Sequence, residues 1–143
     1  MIRSIQRIGT LIGLGALLLG CAGSAKLARP DTAPAQAAVT ELMTKTLADF
    51  PGKEALLITV DYPPGAVDPV HRHDAHAFVY VLEGSIVMGV KGGEEVTLKP
   101  GQTFYEAPDD IHTVGRNASS TEPAKFLVLL IKPKGAPVLI PVE

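Results

Sequence analysis

The chain has 143 residues, enough for one domain and too few for two cores of ordinary size. Charged residues make up 20% and hydrophobic residues 46%, which excludes wholesale disorder; 13 Lys and Arg against 15 Asp and Glu leave a net charge of -2, so no basic excess exists to neutralise a phosphate backbone and nucleic acid is not an expected partner. One cysteine excludes an intrachain disulfide and any multi-cysteine zinc site.

At the N-terminus, Arg3 and Arg7 precede an uncharged, mostly apolar stretch of 13 residues, 8–20. A transmembrane helix needs roughly 20 apolar residues, so residues 1–20 read as a signal peptide. The run Leu18-Leu19-Gly20-Cys21 resembles the bacterial lipobox, and the only cysteine of the chain stands at its end. That resemblance implies lipidation of Cys21 and a membrane association through the lipid alone. Ala22, where Asp would signal retention, implies the outer membrane, facing the periplasm. Cleavage after Ala25 with plain secretion to the periplasm is the alternative. Removing Arg3 and Arg7 leaves 11 basic residues against 15 acidic ones. Residues 21–38 are alanine-rich, carry Pro30 and Pro34, and offer little large apolar surface. They read as a tether to a single domain at 39–143.

Residues 39–47 fit either a strand or a short helix. Strand signals then follow at 55–62, 77–82, 85–90, 95–99, 103–106, 111–116, 125–132 and 137–142. Turn formers separate them: Pro63-Pro64-Gly65, Glu83-Gly84, Gly92-Gly93, Pro100-Gly101, Asp109-Asp110 and the stretch 117–123. Short strands at this spacing predict an all-β sandwich or barrel. Residues 77–82 are apolar at both parities and 126–131 are wholly apolar. Such strands ask for cover on both faces, from the interior and from a second layer or a partner subunit, which hints at a homodimer.

All four histidines lie between positions 71 and 112. On a strand, His71 and His73 point to the same face, because side chains alternate with period 2. Paired imidazoles are a common beginning of a metal site. Arg72, between them, should face outward.

The sequence resembles the cupins at two motifs. The first runs Gly65, five residues, His71-Arg72-His73, three residues, Ala77, six residues, Gly84. Every element of the cupin pattern is in place except the glutamate, whose position Ala77 occupies. In the second, Gly101 and His112 keep the family spacing, Pro108 is shifted by one, Asp110 replaces Gly, and Asn117 is one residue late. The resemblance covers about 55–132 and implies a jelly-roll β-barrel, the double-stranded β-helix. It also implies a divalent metal (Fe, Mn, Ni or Zn) held by His71, His73 and His112.

Ala77 has no ligand atom, so the fourth position is open to three readings. Glu106, at the end of 103–106, can supply a carboxylate if it shares the inward face. His76 is the alternative fourth ligand, but its parity is opposite to Ala77 and it needs a bulge to turn inward. A three-histidine site with open positions is the third reading. Lone histidines are more often structural than ligating. Three unpaired imidazoles in one small barrel, at ~1–3 kcal/mol each, would be a heavy load against a domain stability of ~5–15 kcal/mol.

The remaining features read as architecture. Glu83, Asp109 and Asp110 shape turns, Tyr80 and Tyr105 pack, and Phe78, Met88 and Phe104 belong to the core or a pocket wall. Asn117-Ala118-Ser119 fits the glycosylation pattern, which carries no weight in a bacterial chain. Two functions follow. One is a metal-dependent oxygenase- or isomerase-like enzyme acting on a small organic molecule. The other is a non-catalytic cupin module that binds or senses a small molecule or metal.

Overall fold

The computed structural model describes residues 35–143. The segments read as signal peptide and anchor, Cys21 included, lie outside them. The described residues form strands and turns without a helix, as the all-β expectation required. In chain order the strands are β1 (Ala38–Thr46), β2 (Lys53–Tyr62), β3 (His71–Arg72), β4 (His76–Glu83), β5 (Ile86–Val90), β6 (Val96–Leu98), β7 (Thr103–Glu106), β8 (Ile111–Asn117), β9 (Ala124–Pro133) and β10 (Ile140–Pro141).

They build two five-stranded sheets, one in the order β1-β2-β9-β4-β7 and one in the order β10-β3-β8-β5-β6. From β2 to β9 the chain crosses repeatedly between the sheets, the winding of a double-stranded β-helix. Every pairing is antiparallel. The ambiguous segment at 39–47 is the edge strand β1, exposed along its whole length. The predicted strand at 137–142 shrinks to two residues, since Pro137 and Pro141 limit the ladder.

The core lies between the sheets and follows from alternation. On β2, Leu56, Ile58, Val60 and Tyr62 point inward; on β9, Phe126, Val128 and Leu130 do; on β4, Ala77, Val79 and Val81 do. Ile86, Met88 and Leu98 close the core from the second sheet. Full burial of one such aliphatic side chain stabilises by about 1.5–3 kcal/mol. Cross-strand register stacks them in rows, one of which reads Leu56, Leu130, Ala77, Glu106 across β2, β9, β4 and β7.

The opposite parity of β4 is not core. Phe78, expected in the core or a pocket wall, is 45% exposed, as is Tyr80, and Leu82 also faces out. The strand's apolar outer face has no cover within the described residues.

Buried polar contacts lock the frame. Glu54 and Lys132 face each other at one end of the β2–β9 ladder, 2.6 Å apart, and Lys132 also donates to the Ala136 carbonyl at 2.7 Å. Asn117 is buried and its amide donates to the carbonyls of Tyr62, Pro63 and Glu122. It ties the turn before β9 to the end of β2. Gly84 has φ of 68°, and a Cβ there would run into the Pro123 carbonyl, so the β4–β5 turn demands glycine.

Candidate metal centre

β3 and β8 pair so that His71 stands directly opposite His112. His73 follows β3 on the same side. β4 and β7 pair so that Ala77 stands directly opposite Glu106. The carboxylate absent from β4 therefore enters from its cross-strand neighbour, where facing Cβ atoms lie ~4.5–5.5 Å apart. Ala77, fully buried and small, leaves that space to Glu106, itself 3% exposed.

The structure thus brings His71, His73, His112 and Glu106 together, with one donor atom of each within 4.8 Å of all the others. His71 Nε2 lies 3.1 Å from His73 Nε2 and 3.3 Å from His112 Nδ1. Glu106 Oε2 lies 3.4 Å from His112 Nδ1 and 3.6 Å from His73 Nε2. His76 is not among them. It is exposed on the outer face of β4, with Nδ1 2.7 Å from the Tyr105 hydroxyl. The regular parity of β4 holds, and no bulge turns His76 inward.

Hydrogen bonding fixes the roles of two rings. His71 Nδ1–H donates to the Pro69 carbonyl at 2.8 Å, and His73 Nδ1–H donates to the Val138 carbonyl. A carbonyl only accepts, so in the neutral rings both Nε2 lone pairs face the cluster. This outward Nδ1–H to carbonyl bond is the usual support of a ligating histidine. Glu106 Oε2 and His112 Nε2 are buried without any partner.

The electrostatics agree. Burial, with His71 and His73 next, pushes His112 down to about 4. Burial also lowers His73, partly offset by the Val138 carbonyl. Burial, then the charges of Asp110 and Asp68, raises Glu106 to about 7. His73, His112 and Glu106 shift toward their neutral forms despite their closeness, so they do not satisfy one another as ion pairs. A divalent cation reverses that balance: it favours neutral imidazole and ionised carboxylate at once. Ligands at ~2.1 Å from one ion sit roughly 3.0–3.4 Å from each other in octahedral or tetrahedral arrangements, close to the spacing here. The residues present fit a divalent metal.

The cluster forms part of the wall of a cavity of about 850 Å³, lined otherwise mostly by apolar side chains such as Ile58, Val60, Val128 and Leu139. Met88 lines it, as expected; Phe104 packs at the core margin. Tyr62 and Asp68, which sequence reasoning did not single out as site residues, also line it, as does Gln36. Tyr62 is 1% exposed and donates its hydroxyl to Asp68 Oδ2. The inward parity of β2 marks Tyr62 as buried; nothing local marks Asp68, which lies in the turn before β3. Asp110 behaves as expected, accepting from the Ala107 N–H at 2.8 Å to close the β7–β8 turn.

The family model described as the cupin domain matches residues 58–130, and the chain belongs to this family. Among curated proteins none matches the sequence. Solved structures share the fold. The DMSP lyase DddQ from Ruegeria pomeroyi DSS-3 is 22% identical over 62% of this chain and 43% of that one, with a TM-score of 0.54. The chain thus spans less than half the length of the lyase. The protein TT1209 from Thermus thermophilus is 28% identical over 68% of this chain and 84% of that one, with a TM-score of 0.54. An oxalate oxidase in complex with the substrate analogue glycolate is 25% identical over 78% of this chain and 57% of that one, with a TM-score of 0.58.

Proposed function

We propose that this cupin binds one divalent metal through His71, His73, His112 and Glu106 and acts, as an oxygenase- or isomerase-like enzyme, on a small organic molecule in the bacterial cell envelope. One observation carries the reading. Two histidines, His71 and His73, spend their N–H groups on backbone carbonyls and turn Nε2 into a cluster that also holds a buried carboxylate oxygen without a partner. Iron, manganese, nickel or zinc all suit such a set of nitrogen and oxygen donors. A bound ion of this kind supplies Lewis acidity that can activate water or dioxygen or polarise a carbonyl. The chain's own contribution is to hold the rings in one tautomer, to keep the carboxylate dry, and to surround the substrate with an apolar wall. Two of the structural neighbours, a lyase and an oxidase of small molecules by name, are in keeping with this.

Four protein donors can also close a tetrahedral zinc shell, which favours a second reading as a non-catalytic binding or sensing module. Elemental analysis of protein purified from its native compartment separates the two. Iron or manganese with exchangeable water supports the enzyme; a closed zinc site supports the module. Protein that retains none of the four metals after loading and desalting defeats the metal site and the enzyme, and leaves the module as a binder of small molecules alone.

The envelope location rests on the lipobox-like run ending at Cys21. Cys21→Ser is expected to move the protein from the membrane fraction to the soluble envelope fraction. Unchanged fractionation, or a mature N-terminus at Lys26, speaks for plain secretion.

A further inference from the structure

The metal cluster is not the only polar feature of the cavity wall. Tyr62 and Asp68 form a second one, and its surroundings are unusual. Asp68 is anchored by its own backbone, whose N–H donates to the Gly115 carbonyl at 2.8 Å. Tyr62 is held by an edge-to-face contact with Phe126, ring centres 4.9 Å apart. Both groups converge over Gly115 next to the His112 ring. A Cβ at Gly115 would meet Asp68 Oδ2 at 3.1 Å, His112 Cε1 at 3.1 Å and the Tyr62 hydroxyl at 3.2 Å. The missing side chain at 115 is what lets the Tyr–Asp pair sit beside the metal cluster.

The pair leaves one carboxylate oxygen in use and one to accept from something else. Tyr62 donates to Oδ2; among the described residues Oδ1 makes no side-chain hydrogen bond. The carboxylate lines the cavity, whose lining includes no Lys or Arg. The charges in the wall are therefore two carboxylates, Asp68 and Glu106, and whatever a divalent ion brings. With that ion they sum to neutrality. A dianion entering this apolar space would find no cation to pair with beyond the metal, and unpaired buried charge is costly. A hydroxyl would find a fixed acceptor.

We infer, resting on the metal reading above, that the cavity selects a mainly apolar molecule of at most one negative charge that carries a hydroxyl donor, and that Asp68, oriented by Tyr62, positions that hydroxyl. Dicarboxylic acids of the oxalate type are selected against. In that arrangement a metal held by the cluster would supply the positive charge for the oxygen head, the apolar wall takes the body, and Asp68 takes the hydroxyl.

The experiment uses full-length protein loaded with cobalt(II) or manganese(II), and calorimetric titration with benzoate, the three hydroxybenzoates and isophthalate. The best hydroxybenzoate is expected to bind about 10-fold or more tightly than benzoate, as a hydrogen bond to a charged acceptor gives. Isophthalate is expected to bind more weakly than benzoate. Asp68→Asn should shrink the hydroxyl advantage and improve isophthalate while metal content stays at the wild-type level. Tyr62→Phe, which removes the hydrogen bond that orients Asp68, should also shrink the hydroxyl advantage with metal content unchanged, and it serves if Asp68→Asn does not fold. Isophthalate binding as well as the best hydroxybenzoate, no hydroxyl preference in the wild type, or no benzoate binding at all to metal-loaded protein overturns the inference and leaves the metal site standing. Absence of metal from the wild-type protein overturns both.

Discussion

The two faces of the β4–β7 pair are put to opposite uses. Inward lie Ala77, Val79 and Glu106, all but fully dry; outward lie His76, Phe78, Tyr80 and Tyr105, all substantially exposed. His76 meets solvent and a tyrosine hydroxyl. His71, His73 and His112 meet one another and a buried carboxylate. The four histidines thus divide three to one: strand pairing places His71 and His112 inward, the Val138 carbonyl holds His73 beside them, and parity on β4 turns His76 out. Chemistry in this fold is a property of the inward register, and the inward register can hand a ligand from one strand to the next.

The largest test of that comparison is the carboxylate. Glu106→Gln keeps size and removes the charge that balances a divalent ion. A residue that only supports a ligand typically costs ~10–100-fold in metal affinity, so the expected loss exceeds about 100-fold by competition against a chelator. In metal-free protein the same change should leave the melting temperature equal or higher, because it removes a buried, unpartnered oxygen charge. The paired change Ala77→Glu with Glu106→Ala moves the carboxylate back across the ladder and should recover affinity, since the two positions face each other. Failure of that swap while Glu106→Gln is crippling would mean that the ligand geometry belongs to β7 alone.

A second, smaller effect concerns the ground on which the inward side chains stand. Gly115→Ala adds a Cβ that Asp68, Tyr62 and His112 must move to accommodate. Overpacking of this kind costs about 1–3 kcal/mol, read from chemical denaturation, and should weaken metal binding by displacing the His112 ring. Unchanged stability and affinity would show that the three groups give way without strain.

How much of this could be read from the chain follows the same division. Apolar runs bounded by turn formers at 55–62 and 125–132 announce β2 and β9, although a wholly apolar run such as 126–131 does not show which parity faces the core. The triplet Thr103-Phe104-Tyr105 with Glu106 places the carboxylate inward by parity, though only the register shows it opposite Ala77. Residues 39–47 resist assignment because an edge strand exposed on both faces has no burial period to display. Phe78 misleads because an apolar residue on an uncovered face looks, in sequence, like one in the core. Asp68 is invisible, since its meeting with Tyr62 is set by the turn between β2 and β3 and by the absence of a side chain at Gly115. Turn geometry leaves no periodic trace.

A third effect is set by pH in the metal-free protein. Glu106 is raised to about 7 from its ordinary 4.5, so the folded state holds more protons there between those values. Its stabilising contribution is present below 4.5 and is lost as pH rises through 7. His112 is depressed to about 4 from 6.5, so its contribution is present above 6.5 and is lost as pH falls through 4. The two oppose each other between about 4.5 and 6.5, where the melting temperature is expected to be nearly flat. The melting temperature should fall off on the alkaline side up to about 7, and on the acid side below about 4.5. Glu106→Gln should abolish the alkaline fall and turn the flat region into a rise with pH up to about 6.5, because His112 is then unopposed. Saturating metal should do the same from the other direction, because the ion prefers the ionised carboxylate and the neutral rings. An alkaline fall that persists in Glu106→Gln would assign it to a different group.

The smallest expected effect falls on the outer face. His76→Ala removes an exposed imidazole whose only side-chain partner is the Tyr105 hydroxyl, itself accessible to water. Losing a solvent-exposed hydrogen bond of this kind changes stability by ~0.5 kcal/mol or less, since water replaces the partner. Metal affinity should match the wild type, because the ring lies on the opposite side of β4 from Ala77 and Glu106. Chelator competition on His76→Ala beside Glu106→Gln makes the contrast direct: one histidine next to the cupin glutamate position in sequence, and one carboxylate next to it only in space. Equal losses in both would mean that β4 does not keep its register when metal is bound, and that sequence proximity, not cross-strand pairing, chooses the fourth ligand.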